Sequence, residues 1–205
     1  VGAAVAVTRV VRTVLVVTAV VLLAVLLPLE LRLELAVAGW SAMAVATLLV
    51  ARRFVGVDAR TAQVLAGGLI AAGIGATLVV IAPPDRLLLE ITAVPPLVGP
   101  PNAATLATLA AAVALAVAAR TVRGAPRLVP WLGLGAAAAM GWAVSIGIAD
   151  AFAVRMPGAA DPTEVARQAQ VALSIAWATM GLGTLLVGLV RDIALARQAG
   201  LVLLA

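Results

Sequence analysis

The sequence predicts an all-α protein, a polytopic transmembrane helical bundle with six spans and the start of a seventh. Two observations lead to this prediction. Hydrophobic residues make up 64% of the 205 residues, and the 14 basic residues, all arginine, lie in or beside the gaps between long apolar runs. A soluble domain of this length cannot bury so much apolar surface, whereas lipid solvates the outer face of a membrane bundle. Residues 1–205 therefore read as one membrane region.

Six apolar runs are long enough, or nearly so, to cross a bilayer, which requires about 20 residues. They cover residues 13–29, 35–50, 62–82, 103–119, 128–149 and 169–190, and a seventh run begins at Gln198 and occupies 198–205. The alternating stretch 29–35 before the short second run is interpreted as an interfacial connection. The chain starts without Met and closes inside the seventh run, so we expect a fragment of a longer protein whose missing helices are neighbours of this bundle.

Two connections carry signals of their own. The stretch 83–102 contains six prolines, which exclude one continuous helix and predict a short interfacial or re-entrant helix between them, with Asn102 capping the fourth span. Before the sixth run, Asp161 is predicted as the N-cap, Pro162 as the first helical residue and Glu164 as the capping-box partner. The sixth helix would then begin outside the membrane.

Charge is distributed unevenly along this path. One set of loops holds ten arginines and the opposite set holds four. The larger set consists of Arg9, Arg12, Arg52, Arg53, Arg60, Arg120, Arg123, Arg127, Arg191 and Arg197, and the smaller set of Arg32, Arg86, Arg155 and Arg167. The positive-inside rule places the larger set in the cytoplasm. We therefore expect a multi-pass membrane protein with the N-terminus of this chain in the cytoplasm.

The chain also contains a predicted parallel internal repeat. Residues 40–62 align with residues 177–199 without a gap, at an offset of 137. The matched pairs include Trp40/Trp177, Met43/Met180, Thr47/Thr184 and Arg60/Arg197. Trp and Met carry weight because the chain has only four of each. Both copies would cross the membrane in the same direction, which makes the repeat parallel rather than inverted.

Rows of small residues predict where helices approach each other closely. Three rows stand out: Gly67, Ala71 and Gly75 in the third span, Gly133, Ala137 and Gly141 in the fifth, and Thr184 with Gly188 in the sixth. The alternative is that such a row lines a pore or a substrate groove. Close packing is the preferred interpretation.

Two stretches of the chain resemble a large bacterial family of membrane proteins, domain of unknown function 2339. The first stretch is Pro28, Gly39-Trp40-Ser41-Ala42 and the segment 48–53, and the second is the segment 170–177 with Gly188 and the segment 197–201. The second stretch is similar to a block near the C-terminal end of that family. The resemblance implies a protein with many more spans and, often, a cytoplasmic coiled-coil region ahead of them. It carries over no catalytic residue.

Composition limits the chemistry that the chain can perform. It has no cysteine and no histidine, which removes thiolate nucleophiles and the commonest metal ligand and general base. We predict no cofactor, no metal site and no nucleic-acid partner; the lipid bilayer is the expected partner. The weak catalytic candidates are the acids predicted on the outer side, Glu30, Glu34, Asp85, Glu90 and Asp150.

Three functions remain open from the sequence. The leading hypothesis is a non-catalytic envelope scaffold, or a protein that binds lipid or a partner protein within the membrane. The alternative is a membrane-embedded enzyme that acts on lipid-linked envelope substrates through the outer carboxylates. A transporter subunit is the weakest hypothesis, because the spans lack the ionisable residues near their middle that coupled transport requires.

Overall fold

The protein is built from α-helices in every part that the structure describes. The structure is a computed structural model, and it describes residues 2–53, 59–83, 103–122, 127–155, 158 and 161–204. These residues form seven helices: α1 (Gly2–Glu30), α2 (Leu33–Arg53), α3 (Ala59–Ala76), α4 (Ala103–Thr121), α5 (Val129–Ala153), α6 (Pro162–Val190) and α7 (Ala194–Leu204). A π-helical turn, Thr77–Ile81, extends α3. The all-α prediction is confirmed.

Six of these helices, α1 to α6, are long and apolar enough to cross a membrane, and α7 is a shorter apolar helix. Their lateral faces carry large apolar side chains, among them Val79 and Val190, which are 74% and 82% exposed. The buried core, in contrast, consists mostly of alanine. Small residues inside and large apolar residues outside are the arrangement expected of a bundle solvated by lipid, which confirms a multi-pass membrane protein.

Two clusters of buried residues show that successive helices run in opposite directions. The first joins the end of α2, the start of α3 and the end of α4 through Ala44, Leu48, Ala66, Leu69, Ile70, Ala114, Leu115 and Ala118. The second joins the end of α3, the start of α4 and the second half of α5 through Ala82, Ala104, Trp142, Ile146 and Ala149. We call the end of the bundle with the α2–α3 and α6–α7 connections the arginine end, and the opposite end the acidic end.

The α1–α2 connection is shorter than predicted. In place of an interfacial segment over 29–35, only Leu31 and Arg32 separate the two helices. Helical hydrogen bonds continue almost through the turn, since the Leu31 N–H donates to the Leu27 carbonyl at 2.9 Å and the Ala36 N–H to the Arg32 carbonyl at 3.0 Å. A short turn leaves fewer backbone groups unpaired beside lipid, and it lengthens α2 to 21 residues, enough to cross.

Helix α7 begins at Ala194, earlier than the predicted Gln198. The turn before it is tight because Asp192 adopts a left-handed conformation, with φ of 52°, which Asp tolerates better than most residues. The Ile193 N–H then donates to the Gly188 carbonyl at 2.9 Å. A three-residue turn therefore brings α7 directly back onto α6.

The packing of α6 on α7 depends on glycine. A Cβ atom on Gly188 would lie 2.5 Å from the Arg197 backbone nitrogen, and one on Gly200 would lie 2.6 Å from the Leu185 backbone nitrogen. Only glycine fits at these two positions, because neither neighbouring backbone can move away cheaply. The prediction of close packing at Gly188 is confirmed.

Close packing was wrong for other predicted rows. A Cβ on Gly67, Gly75 or Gly133 would meet nothing within 4 Å. Helix α3 instead buries Ala62, Ala66, Leu69, Ile70 and Gly73 on a neighbouring face. The row on α5 meets a neighbour only at its last member, Gly141, against Met180 of α6. Spacing alone identified the rows but could not show which face of each helix is covered.

A hydrogen bond between α1 and α2 compensates for a proline. Pro28 lies inside α1 and has no N–H, so the carbonyl of Ala24, four residues earlier, loses its helical donor. The Trp40 indole Nε1–H of α2 donates to that carbonyl at 2.8 Å. Next to Trp40, a Cβ on Gly39 would lie 3.0 Å from the Leu27 side chain, so glycine at this position lets α1 and α2 approach each other closely. The Trp40 indole thus takes the place of the backbone N–H that Pro28 lacks.

The start of α6 matches the predicted cap in part. Asp161 is the N-cap and accepts from the Thr163 N–H at 2.9 Å, and Pro162 is the first helical residue. Glu164 does not act as a capping-box partner. Its carboxylate accepts from Gln168 at 3.1 Å and pairs with Arg167 at 2.6 Å, since these groups lie on the adjacent turn.

Several predictions lie outside the described residues. The interfacial or re-entrant helix within 83–102 and the Asn102 cap fall on residues 84–102, which the structure does not describe.

Replacing Trp40 by Phe should lower the free energy of unfolding by about 1–3 kcal/mol, because the Ala24 carbonyl would be left unpaired in an apolar environment. In a Pro28→Ala background the same replacement should cost much less, since residue 28 then supplies a backbone donor. Steric-trap unfolding in bicelles measures both differences. Trp131→Phe, at an exposed indole, is the control. Equal costs of Trp40→Phe in the two backgrounds would show that the indole does not replace the missing donor.

Candidate functional site at the α5–α6 interface

The predicted catalytic candidates do not form a described cluster. Glu30 is the last residue of α1 and is exposed, Glu34 lies half-buried in the first turn of α2, and Asp150 lies near the end of α5. Asp85 and Glu90 fall outside the described residues. Among the residues that the structure describes, no group of three acidic, histidine or cysteine side chains is arranged to hold a metal ion.

The main polar contact between spans is a hydrogen-bond chain from α6 to α5. The Trp177 Nε1–H donates to the Ser145 Oγ at 3.0 Å, and the Ser145 hydroxyl donates to the Gly141 carbonyl at 3.0 Å. Ser145 is fully buried. Because each donor in this chain has an acceptor, the contact ties the two helices together without leaving an unpaired group.

Aromatic and apolar contacts surround this chain of hydrogen bonds. The rings of Trp142 and Trp177 meet edge to face, with centroids 6.5 Å apart and planes at 77°. Below them, Met180 of α6 covers Gly141. Above them, Leu173 of α6 packs with Ile148 and Phe152 of α5 in a cluster that also includes Trp177 and Ala169. Edge-to-face pairs add roughly 0.5–1.5 kcal/mol beyond the area they bury, so this interface is well stabilised.

Among the residues that the structure describes, three buried polar atoms between the middle of the bundle and its acidic end have no hydrogen-bond partner: the Trp142 Nε1, the Asp150 Oδ1 and the Thr105 Oγ1. Trp142 and Asp150 lie about two turns apart on α5, and Thr105 lies in the first turn of α4, which packs closely on α5. An indole N–H is only a donor and an ionised carboxylate only an acceptor. Buried polar atoms of this kind are usually satisfied by water.

The site lacks the elements of nucleophilic catalysis. The Ser145 hydroxyl is committed to the Gly141 carbonyl, and the group that contacts its oxygen is a tryptophan N–H, which cannot accept a proton. Asp150 is the one described acid in α5, and no described histidine or second acid is placed to work with it. The arrangement can bind and position helices, but it has no activated nucleophile.

Sequence analysis did not single out Ser145. The available signal was that Ser145 is the only hydroxyl residue in the sequence of α5. A lone serine in an otherwise apolar span either bonds to its own helix or accepts a donor from a neighbour, and here it does both. The tryptophans Trp40, Trp142 and Trp177 all make contacts between neighbouring helices.

Local hydrogen bonds hold the Asp161 carboxylate at the start of α6. The Thr163 hydroxyl donates to the Asp161 carboxylate at 2.6 Å, and the Thr163 backbone N–H donates to the same oxygen. These two bonds, the hydroxyl first, lower the pKa of Asp161 below its ordinary value of 3.8. Asp161 is exposed, so it serves as a helix cap rather than as a catalytic acid.

No protein-family model, no curated protein and no solved structure matches the chain. The resemblance described above therefore stays a prediction.

Removing the Thr163 hydroxyl by Thr163→Ala should raise the pKa of Asp161 toward its ordinary value, because the largest cause of its lowering is lost. Since the folded pKa is lowered, the cap stabilises α6 fully above pH 3.8, and this contribution is lost as the pH falls through the folded pKa. Titration of the Asp161 carboxyl carbon by NMR measures both variants. Identical titration curves would contradict the role given to Thr163.

Proposed function

We propose that this chain is a non-catalytic scaffold region of the bacterial inner membrane, part of a larger protein similar to domain of unknown function 2339. In this role the helices hold one another, and partner helices or lipids, in a fixed arrangement. The observation that carries the proposal is the use made of polar side chains within the spans, which bond to their own helix or to a neighbouring helix.

Hydroxyl groups in five of the helices are used in this way. Each of eight serine and threonine hydroxyls donates to the carbonyl four residues earlier in its own helix: Ser41, Thr47, Thr77, Thr108, Thr121, Ser145, Thr179 and Thr184. The Trp40 and Trp177 indoles bond across helices. The hydroxyl bonds satisfy polar donors inside apolar spans, and the indole bonds join neighbouring helices, so both uses are structural.

The distribution of arginine supports the orientation. Because successive helices run in opposite directions, the described arginines of the larger set fall at the arginine end and Arg32, Arg155 and Arg167 at the acidic end. Arg86 and Arg123 lie outside the described residues. The positive-inside rule then favours a cytoplasmic arginine end.

Two matched features support the parallel repeat. Helix α2 ends at Arg53 and α6 ends at Val190, which are matched positions at the offset of 137. Trp40 and Trp177, also matched, each donate to the helix that precedes their own. The partners differ, a backbone carbonyl for Trp40 and a serine hydroxyl for Trp177, but the direction of both contacts agrees, and we infer two copies of one packing unit.

A second candidate function is the membrane-embedded enzyme acting on lipid-linked envelope substrates. One observation favours it: Asp150 places an unpartnered carboxylate oxygen at the acidic end, where Glu30 and Glu34 also lie. A carboxylate left unpaired in or near a bilayer is costly and often functional.

An amide variant separates the two functions. Glu30→Gln, Glu34→Gln, Asp85→Asn, Glu90→Gln and Asp150→Asn are combined in the parent protein, which is expressed in a strain that lacks the gene. The scaffold proposal predicts full complementation, because amides preserve shape and helix packing. Loss of complementation at normal membrane levels would instead support the enzyme.

Gly200→Val provides the positive control for this assay, since its side chain would collide with the Leu185 backbone and separate α7 from α6. It should abolish complementation. Gly183→Val is the matched substitution on α6, where an added Cβ meets nothing within 4 Å, and it should have no effect.

A further inference from the structure

A groove lies between α1 and α3 toward the arginine end of the bundle. It has a volume of about 380 Å³ and is lined by Val17 of α1 and by Arg60, Thr61, Val64 and Leu65 of α3. Helix α1 packs mainly on α2, so α1 and α3 flank the groove without closing it. The groove is therefore open to whatever surrounds the bundle, which for a membrane protein is lipid.

The lining changes from charged to apolar with depth. Arg60 is the second residue of α3, and Val64 and Leu65 lie about one turn further into the span. Val64 is 69% exposed, so its side chain is available for contact. Exposed Arg12 and Arg52 lie at the same end and add to the positive field at the mouth of the groove. A cationic mouth above an apolar floor matches the order of a phospholipid headgroup and its acyl chain.

Arg60 differs in its ion pairing from Arg197, its counterpart in the predicted internal repeat. Its counterpart in the second copy, Arg197, pairs with Asp192 at 2.6 Å. The position that matches Asp192 holds Val55 in the first copy, and no ion pair involves Arg60 among the described residues. Among the described residues, an ion pair therefore neutralises the charge of Arg197 and none neutralises that of Arg60.

The exposed face of α3 that continues from Val64 toward the acidic end carries small residues at positions 67, 68 and 71. Gly67 and Gly68 are exposed, and a Cβ on either would meet nothing within 4 Å. Ala71, one turn deeper, is also exposed. This is the row whose predicted close packing was wrong, and the absence of side-chain bulk lets a long chain lie along the helix.

We propose that this groove binds one anionic glycerophospholipid, with its phosphate on the Arg60 guanidinium and an acyl chain along Val17 and Val64. Arginine suits this ligand because its planar fork donates two hydrogen bonds to one phosphate. The site requires only that the chain spans a bilayer. It does not rest on the scaffold role, so either proposal can fail without the other.

Native mass spectrometry of the detergent-solubilised chain, titrated with phosphatidylglycerol or with phosphatidylcholine, tests the site. The wild-type chain should retain one phosphatidylglycerol more tightly than phosphatidylcholine. Arg60→Gln should weaken phosphatidylglycerol binding about tenfold, since a charge-assisted hydrogen bond is lost. Val64→Trp, which fills the groove and keeps the charge, should weaken binding by a similar factor.

Arg197→Gln is the matched control, because it removes the same charge at the equivalent position of the repeat, and it should leave binding unchanged. The proposal is overturned if Arg60→Gln and Val64→Trp bind phosphatidylglycerol as the wild type does. It is also overturned if Arg197→Gln weakens binding as much as Arg60→Gln, since attraction would then come from overall charge. Circular dichroism confirms that each variant is folded before titration.

Discussion

The hydrocarbon core of a bilayer offers no hydrogen-bond partner to a backbone N–H or carbonyl, and this constraint accounts for most of the structure. It explains why only two residues, Leu31 and Arg32, separate α1 from α2. It explains why a tryptophan must reach the carbonyl that Pro28 leaves without a donor. It also explains why serine and threonine hydroxyls in the spans bond back to their own helices, where an acceptor is always within reach.

Close approach of helices follows from the same environment. Lipid is as apolar as leucine, so burying large side chains brings no advantage, and helices associate where small residues allow backbone contact. The alanine-rich core and the glycine contacts at Gly188 and Gly200 serve this purpose. Where the small residues face outward, as at Gly67 and Gly68 on α3, they leave space beside the bundle instead. A row of small residues therefore allows close packing where its face meets another helix, and it leaves open space where its face points outward.

Much of the fold could be predicted because hydropathy and arginine position are properties of single residues. The six spans were found in this way, whereas the Asp161 cap and the tight contact at Gly188 were found from local sequence motifs. The covered face of α3 and the Ser145–Trp177 bond could not be predicted, because both depend on which neighbour stands beside each helix. The acids selected for their charge stay predictions, and the Ser145–Trp177 contact between α5 and α6 was found only in the structure.

The central claim is a six-span path with its arginine end in the cytoplasm, and cysteine accessibility in intact cells tests it most directly. The chain has no cysteine, so labelling requires no background correction. Single substitutions Gly56→Cys, Gly124→Cys, Pro84→Cys and Ala159→Cys are probed with a membrane-impermeant thiol reagent. The account predicts that only the cysteines at 84 and 159 label. Labelling at 56 together with 84 would mean that α3, which lies between these positions, does not cross and that α2 ends outside, so the path and the parallel repeat would both be wrong.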